Sequence, residues 1–129
     1  MYSTILKYSD NEKSMEKTGT MKDCGKSLLA IRDTLEIFGG KWKIPIIGAL
    51  IGLKEARFAD LERIMINISP RMLSKELKEL EMNQLITREI ENTRPVTILY
   101  KITPYGESCN TMLSEMEQWG IKHRERIIG

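Results

Sequence analysis

Arg71, Lys75 and Lys78 recur at the spacing of a helix face, with Ser69 and Ser74 among them, in the stretch Ser69–Gln84. Such a set can donate hydrogen bonds: arginine and small polar side chains to base edges, lysine as a point charge to phosphate. The same stretch holds no catalytic pairing. His123 is the sole histidine of the chain, so a Ser-His-Asp or Cys-His arrangement has no second member to draw on. No glycine loop suited to phosphate and no cluster with metal-ligand spacing is present, and no cofactor or metal is expected. The carboxylates are scattered along helix flanks, where charge serves solvation. The residues therefore point to binding and not to an enzyme.

A helix must carry these donors. Ser69 is a good N-cap, and Pro70 suits the first helical position, where a missing N–H is harmless. At about 100° per residue, Leu73, Leu77 and Leu80 fall on one side. Arg71, Lys75 and Lys78 fall opposite, with Ser74 at the edge and Glu76, Glu79 and Glu81 on the flanks. A leucine-anchored helix with a basic ridge could enter a DNA major groove, although many solvated surface helices share that pattern.

Composition sets the frame. The 129 residues suggest a single domain with a sizeable core, and 41% apolar with 29% charged residues is globular, not disordered. The net charge of +2 advertises no global basic field, but the distribution is uneven. Residues 39–101 hold eleven basic and eight acidic side chains, against six and six before them and three and four after. Cys24 and Cys109 do not form a disulfide framework or a metal site. No signal peptide is evident. The most apolar run, Ile44–Leu53, is about half of the roughly 20 residues a membrane span needs. A cytoplasmic protein is expected, with no membrane partner.

The remaining elements follow from periodicity. Residues 1–22 lack it and read as a flexible or partner-dependent arm. Leu28, Ile31, Leu35 and Phe38 predict a helix over Ser27–Phe38, stopped by Gly39-Gly40. A second helix is expected within Lys43–Leu53, and a short third over Phe58–Ile66. Val96, Ile98, Tyr100 and Ile102 alternate with Thr97, Leu99, Lys101 and Thr103 as in a half-buried strand. Leu85–Glu91 is its looser partner, joined through the turn residues Asn92-Thr93-Arg94-Pro95. A last helix is expected from Tyr105 to Ile127. Three helices and then a hairpin is the order of a winged helix, so residues 23–129 read as one mainly α unit with a small β-hairpin (α+β). The last helix carries Cys109, Met112, Leu113, Met116 and Trp119 on a stripe longer than such a domain needs to cover itself. Leu28 and Leu35 add an apolar face on the first helix. A dimer through 27–38 and 105–127 would cover both.

The ordered set of short motifs is specific. Leu35-Glu36-Ile37-Phe38-Gly39-Gly40-Lys41-Trp42 is followed by Arg57-Phe58-Ala59-Asp60-Leu61, then by Ile68-Ser69-Pro70-Arg71-Met72-Leu73-Ser74 and Leu77-Lys78-Glu79-Leu80-Glu81. Tyr100-Lys101-Ile102-Thr103-Pro104-Tyr105-Gly106 and Trp119-Gly120 complete it. This chain resembles the HxlR-type family of bacterial winged helix-turn-helix transcription regulators, themselves similar to the MarR group. The resemblance implies a homodimer on double-stranded DNA with a partly palindromic operator, a reading helix in each major groove, and terminal helices for dimerisation. By position it assigns Ser69, Pro70, Arg71, Ser74, Lys75 and Lys78 to the reading helix, Arg94 to the wing tip and Lys41 to a phosphate contact. Arg57 is left between a phosphate contact and a local cap, and Trp42 between packing and base stacking. Family members commonly carry a cysteine about ten residues before Gly-Gly-Lys-Trp, which in some senses oxidants. Leu29 occupies that position here, and Cys24 lies five residues earlier. A thiol at a helix N-terminus near Lys22 and Lys26 would be activated; the alternative is an incidental surface cysteine. Cys109 is expected as a small buried hydrophobe. No effector is named by these residues. A winged-helix module used only for protein–protein contact is the competing class.

Overall fold

The computed structural model describes residues 19–129, with side chains from Cys24 onward. The chain divides into two units between Gly40 and Lys41. The first is the helix α1, Gly19–Phe38. It begins well upstream of the expected Ser27, so residues 19–22 are helical. The rest of the expected arm, residues 1–18, lies outside the described residues. The end of α1 requires glycine at position 39, because a Cβ there would come within 2.7 Å of the Leu35 carbonyl oxygen.

The second unit starts with α2, Lys43–Leu53, whose Ile46, Ile47 and Leu50 are completely buried. An unforeseen strand follows, β1 (Glu55–Arg57), too short to show a period, with only Ala56 turned inward. Next come α3 (Phe58–Ile64) and α4 (Pro70–Met82), the helix-turn-helix pair, with buried Met65 and Ile68 in the turn. Helix α3 is shorter than expected, and Ile64 at its end is exposed. The Ser69 hydroxyl accepts a hydrogen bond from the Met72 amide at 3.1 Å, as its cap position predicts. Leu61, Leu73, Leu77 and Leu80 are essentially inaccessible to solvent and form the core with α2.

The hairpin pairs β2 (Ile86–Glu91) with β3 (Thr97–Ile102), and β1 joins the other edge of β3 in an antiparallel sheet of order β1-β3-β2. The alternation expected for β3 needs amendment. Val96 precedes the strand and is exposed, while Leu99, assigned to the solvent side, is buried like Tyr100. A strand paired on both edges and packed by α2, α3 and the segment after it has little solvent side. The single last helix is in fact two: α5 (Pro104–Glu107) and α6 (Asn110–Ile128). Cys109 stands between them as the N-cap of α6, half-buried, and burial pushes its thiol up.

A clasp joins the end of β3 to the end of α4. The Thr103 hydroxyl donates to the carbonyl oxygens of Gln84 and Leu85, at 2.7 and 3.0 Å, and accepts from the Gly106 amide at 2.9 Å. The Thr103 amide donates to Leu85 at 3.1 Å.

Candidate nucleic-acid interface

Helix α4 divides along its length. Leu73, Leu77 and Leu80 face inward, while Arg71, Ser74, Lys75 and Lys78, at i, i+3, i+4 and i+7, are all exposed. Ser69 and Pro70 are exposed at its start, although the Ser69 hydroxyl is occupied by the cap. Lys75 reaches Glu79 only at 4.0 Å. Among the described residues, Arg71 and Lys78 are held by no ion pair. Their donors are available to an external acceptor.

What fixes this ridge outward is a buried ion triad that the residue pattern did not reveal. Lys43, 7% exposed, opens α2, and its Nζ lies 2.5 Å from Glu76 Oε2 and 2.5 Å from Glu79 Oε2. Glu76, assigned to a flank, is 6% exposed. The hydrogen bond from Lys43 holds the Glu79 carboxyl below its usual range, against the opposing effect of burial. Burial alone would lower the Lys43 ammonium, but the hydrogen bonds and charges of both carboxylates outweigh it and raise it. The triad fastens the inner side of α4 to α2. A signal existed: Glu76 follows Leu73 by three positions, and Lys43 precedes Ile46 and Ile47 by three and four. Two opposite charges at core spacing on helices that pack together imply each other.

The other expected contacts are distributed. Arg94 is exposed in the wing turn, where the Thr93 hydroxyl donates to the Pro95 carbonyl oxygen at 2.8 Å. Exposed Lys41 lies 4.9 Å over the ring of half-buried Trp42, a cation–π contact. The Arg57 backbone amide donates to Asp60 Oδ2 at 3.1 Å, which caps α3, while the Arg57 side chain is exposed. That amide bond, together with Arg63, lowers the Asp60 carboxyl. Arg88 on β2 was not foreseen; it meets Ser74, Lys78, Glu81 and Tyr100 around a cleft of about 250 Å³ between α4 and the sheet.

The dimer candidates differ in exposure. Leu28 and Leu35 on α1 are 56% and 64% exposed, and Met116 and Trp119 on α6 are 47% and 67% exposed. Met112 and Leu113 are half-buried, and α6 has no buried residue at all. Trp119 stacks on His123, ring centroids 4.9 Å apart. Cys24 is exposed but is the sixth residue of α1, beyond the first turn where a helix dipole acts, which removes the helix-terminus argument for its activation. Among the described residues, no helix is long and apolar enough to cross a membrane.

A helix-turn-helix with an outward basic ridge, joined to a three-stranded sheet whose hairpin forms a wing, defines a winged helix-turn-helix DNA-binding protein. The model of the HxlR-like helix-turn-helix family matches residues 37–127, and the chain belongs to that family of transcriptional regulators. It is 37% identical over 101 residues to the HTH-type transcriptional regulator YtcD of Bacillus subtilis (strain 168), covering 78% of this chain and 79% of that one. Its fold is similar to that of the redox regulator HypR in its reduced form, with TM-score 0.71 and 31% identity over 76% of this chain and 96% of that one. A MarR-family chain from Porphyromonas gingivalis W83 is similar at TM-score 0.66 and 33% identity, over 70% of this chain and 88% of that one.

Proposed function

We propose that this chain is a cytoplasmic, homodimeric regulator that reads a partly palindromic operator with α4 of each copy in a major groove and each wing against the backbone or minor groove. One observation carries the reading: the ridge Arg71, Ser74, Lys75 and Lys78 is exposed on a helix whose opposite side is buried. Base-edge donors on a rigidly held helix supply specificity, and lysines supply phosphate contacts. DNA recovered by selection from genomic fragments provides the probe. Arg71→Ala is expected to weaken specific binding by roughly 1–3 kcal/mol and relax preference at one base position. Lys78→Ala should weaken all sequences alike and flatten the salt slope by about one. Unaltered operator binding by the Arg71 variant would remove α4 from the reading role. The protein–protein alternative predicts no steep fall of DNA affinity with salt, because it releases no counterions.

The exposed apolar residues of α1 and α6 support the dimer, since such patches mark partner surfaces. Met116→Glu should split it and severely weaken operator binding while thermal unfolding stays cooperative. Two readings about a twofold axis require half-sites about 34–36 Å apart, so inserting roughly five base pairs between them should abolish tight binding. A monomer that binds one half-site tightly at micromolar concentration would contradict the dimer. Any redox response falls to Cys24, the exposed thiol, because burial disfavours the thiolate of Cys109.

A further inference from the structure

We propose that the cleft between α4 and the root of the wing is a seat for one DNA backbone phosphate, with Arg88 as its main ligand. The inference rests on the DNA-reading role of α4 proposed above. Ser74, Lys78, Glu81, Arg88 and Tyr100 line the cleft. Strand register explains why Arg88 belongs there. It lies opposite Tyr100, between the pairs Ile86↔Ile102 and Ile90↔Ile98, on the sheet face that carries buried Ile86 and Tyr100. Thr87 and Glu89 alternate to the other face, where Lys101 pairs with Glu89 at 2.9 Å and Glu55 at 3.7 Å. The sheet thus gathers two of its carboxylates around Lys101 on one face and keeps Arg88 on the face beside α4.

The charges in the cleft call for an anion. Two cations share it with one carboxylate, and among the described residues neither Arg88 nor Lys78 has an ion-pair partner. A guanidinium fork binds phosphate oxygens in bidentate fashion, with a second cation and the Ser74 hydroxyl as supporting donors. The backbone of DNA is the fitting source, because Ser74 and Lys78 belong to the same ridge as Arg71. A strand laid along that ridge passes the cleft, and a phosphate held at the wing root would fix how far α4 advances into the groove.

The test uses the full chain and selected operator fragments in which single phosphates are replaced by neutral methylphosphonate. The wild type should lose affinity at one phosphate per half-site on the wing side. Arg88→Gln should bind about tenfold more weakly, with a salt slope flatter by about one per half-site, and should be indifferent to methylphosphonate at that position. Arg88→Lys should recover the slope but not the full affinity, because a point charge lacks the fork. If Arg88→Gln keeps the wild-type methylphosphonate profile, the seat is refuted, whatever its affinity. Competition by inorganic phosphate beyond an ionic-strength match in chloride would assign the cleft to a free anion and also overturn the proposal. Arg71→Ala separates the two readings. Loss of sequence preference in that variant alongside an Arg88→Gln profile like the wild type removes only the phosphate seat. Unchanged preference in the Arg71 variant removes the reading role itself.

Discussion

Lys43→Met should destabilise the protein by roughly 3–5 kcal/mol, the range expected when one partner of a buried ion pair is removed. The variant keeps an unbranched apolar stem but leaves Glu76, 6% exposed, without its cation. Glu79 retains Lys75 at 4.0 Å and can turn to water, so Glu76 dominates the loss. Urea unfolding measures the change. A loss below about 1 kcal/mol would place the triad among the ion pairs of little consequence. The triple replacement Lys43→Met, Glu76→Leu and Glu79→Gln should recover most of the stability, because it removes the buried charges together.

The triad also sets a pH dependence. The folded-state carboxyl of Glu79 lies below its ordinary 4.5, so its contribution is present above that value and is lost as pH falls through the depressed one. The Lys43 ammonium lies above its ordinary 10.5, so its contribution is complete below that value and lost as pH rises through the raised one. Between these limits stability from the triad is flat. Acidification below 4.5 should therefore erode the wild type more steeply than the Lys43 variant.

Gly106→Ala should cost about 3 kcal/mol, the upper part of the usual overpacking range. The added methyl would stand 2.2 Å from the Leu85 carbonyl oxygen and 2.6 Å from Ile102 Cδ1. The isoleucine can rotate; the carbonyl cannot withdraw, because it accepts from both the amide and the hydroxyl of Thr103. Relief has to come from opening the clasp between α5 and the end of α4. Operator binding should fall together with thermal stability. Normal stability in the alanine variant would show that the clasp yields without loss.

Several features of the fold were legible because they repeat. The leucines of α4, the apolar run of α2 and the Gly39-Gly40 stop each announce an element by period or by punctuation, and Ser69 announces its cap. The ridge Arg71, Ser74, Lys75 and Lys78 was legible for the same reason. Strand β1 was not, because three residues have no period and its pairing partner lies more than forty positions away. The Cys109 boundary was hidden because the residues after Tyr105 are compatible with one unbroken helix. Helix α1 runs back to Gly19 through residues with no apolar repeat, so periodicity set its start too late. Arg88 and Lys43 escaped for another reason. Each acquires its role from a residue on a different element, and one element's pattern does not contain the other's.

The inner fastening of α4 separates what the protein recognises from what keeps it folded. Leu73, Glu76, Leu77, Glu79 and Leu80 hold the helix from within, and no ridge residue contributes to that hold beyond the distant Lys75–Glu79 pair. Exposed substitutions away from such supports usually change stability by less than about 0.5 kcal/mol. Arg71, Ser74 and Lys78 can therefore be rewritten together with little penalty to the fold. With α4 as the reading helix proposed above, a duplicated copy of such a chain would acquire a new address on the genome through a few ridge changes, while its scaffold is inherited intact.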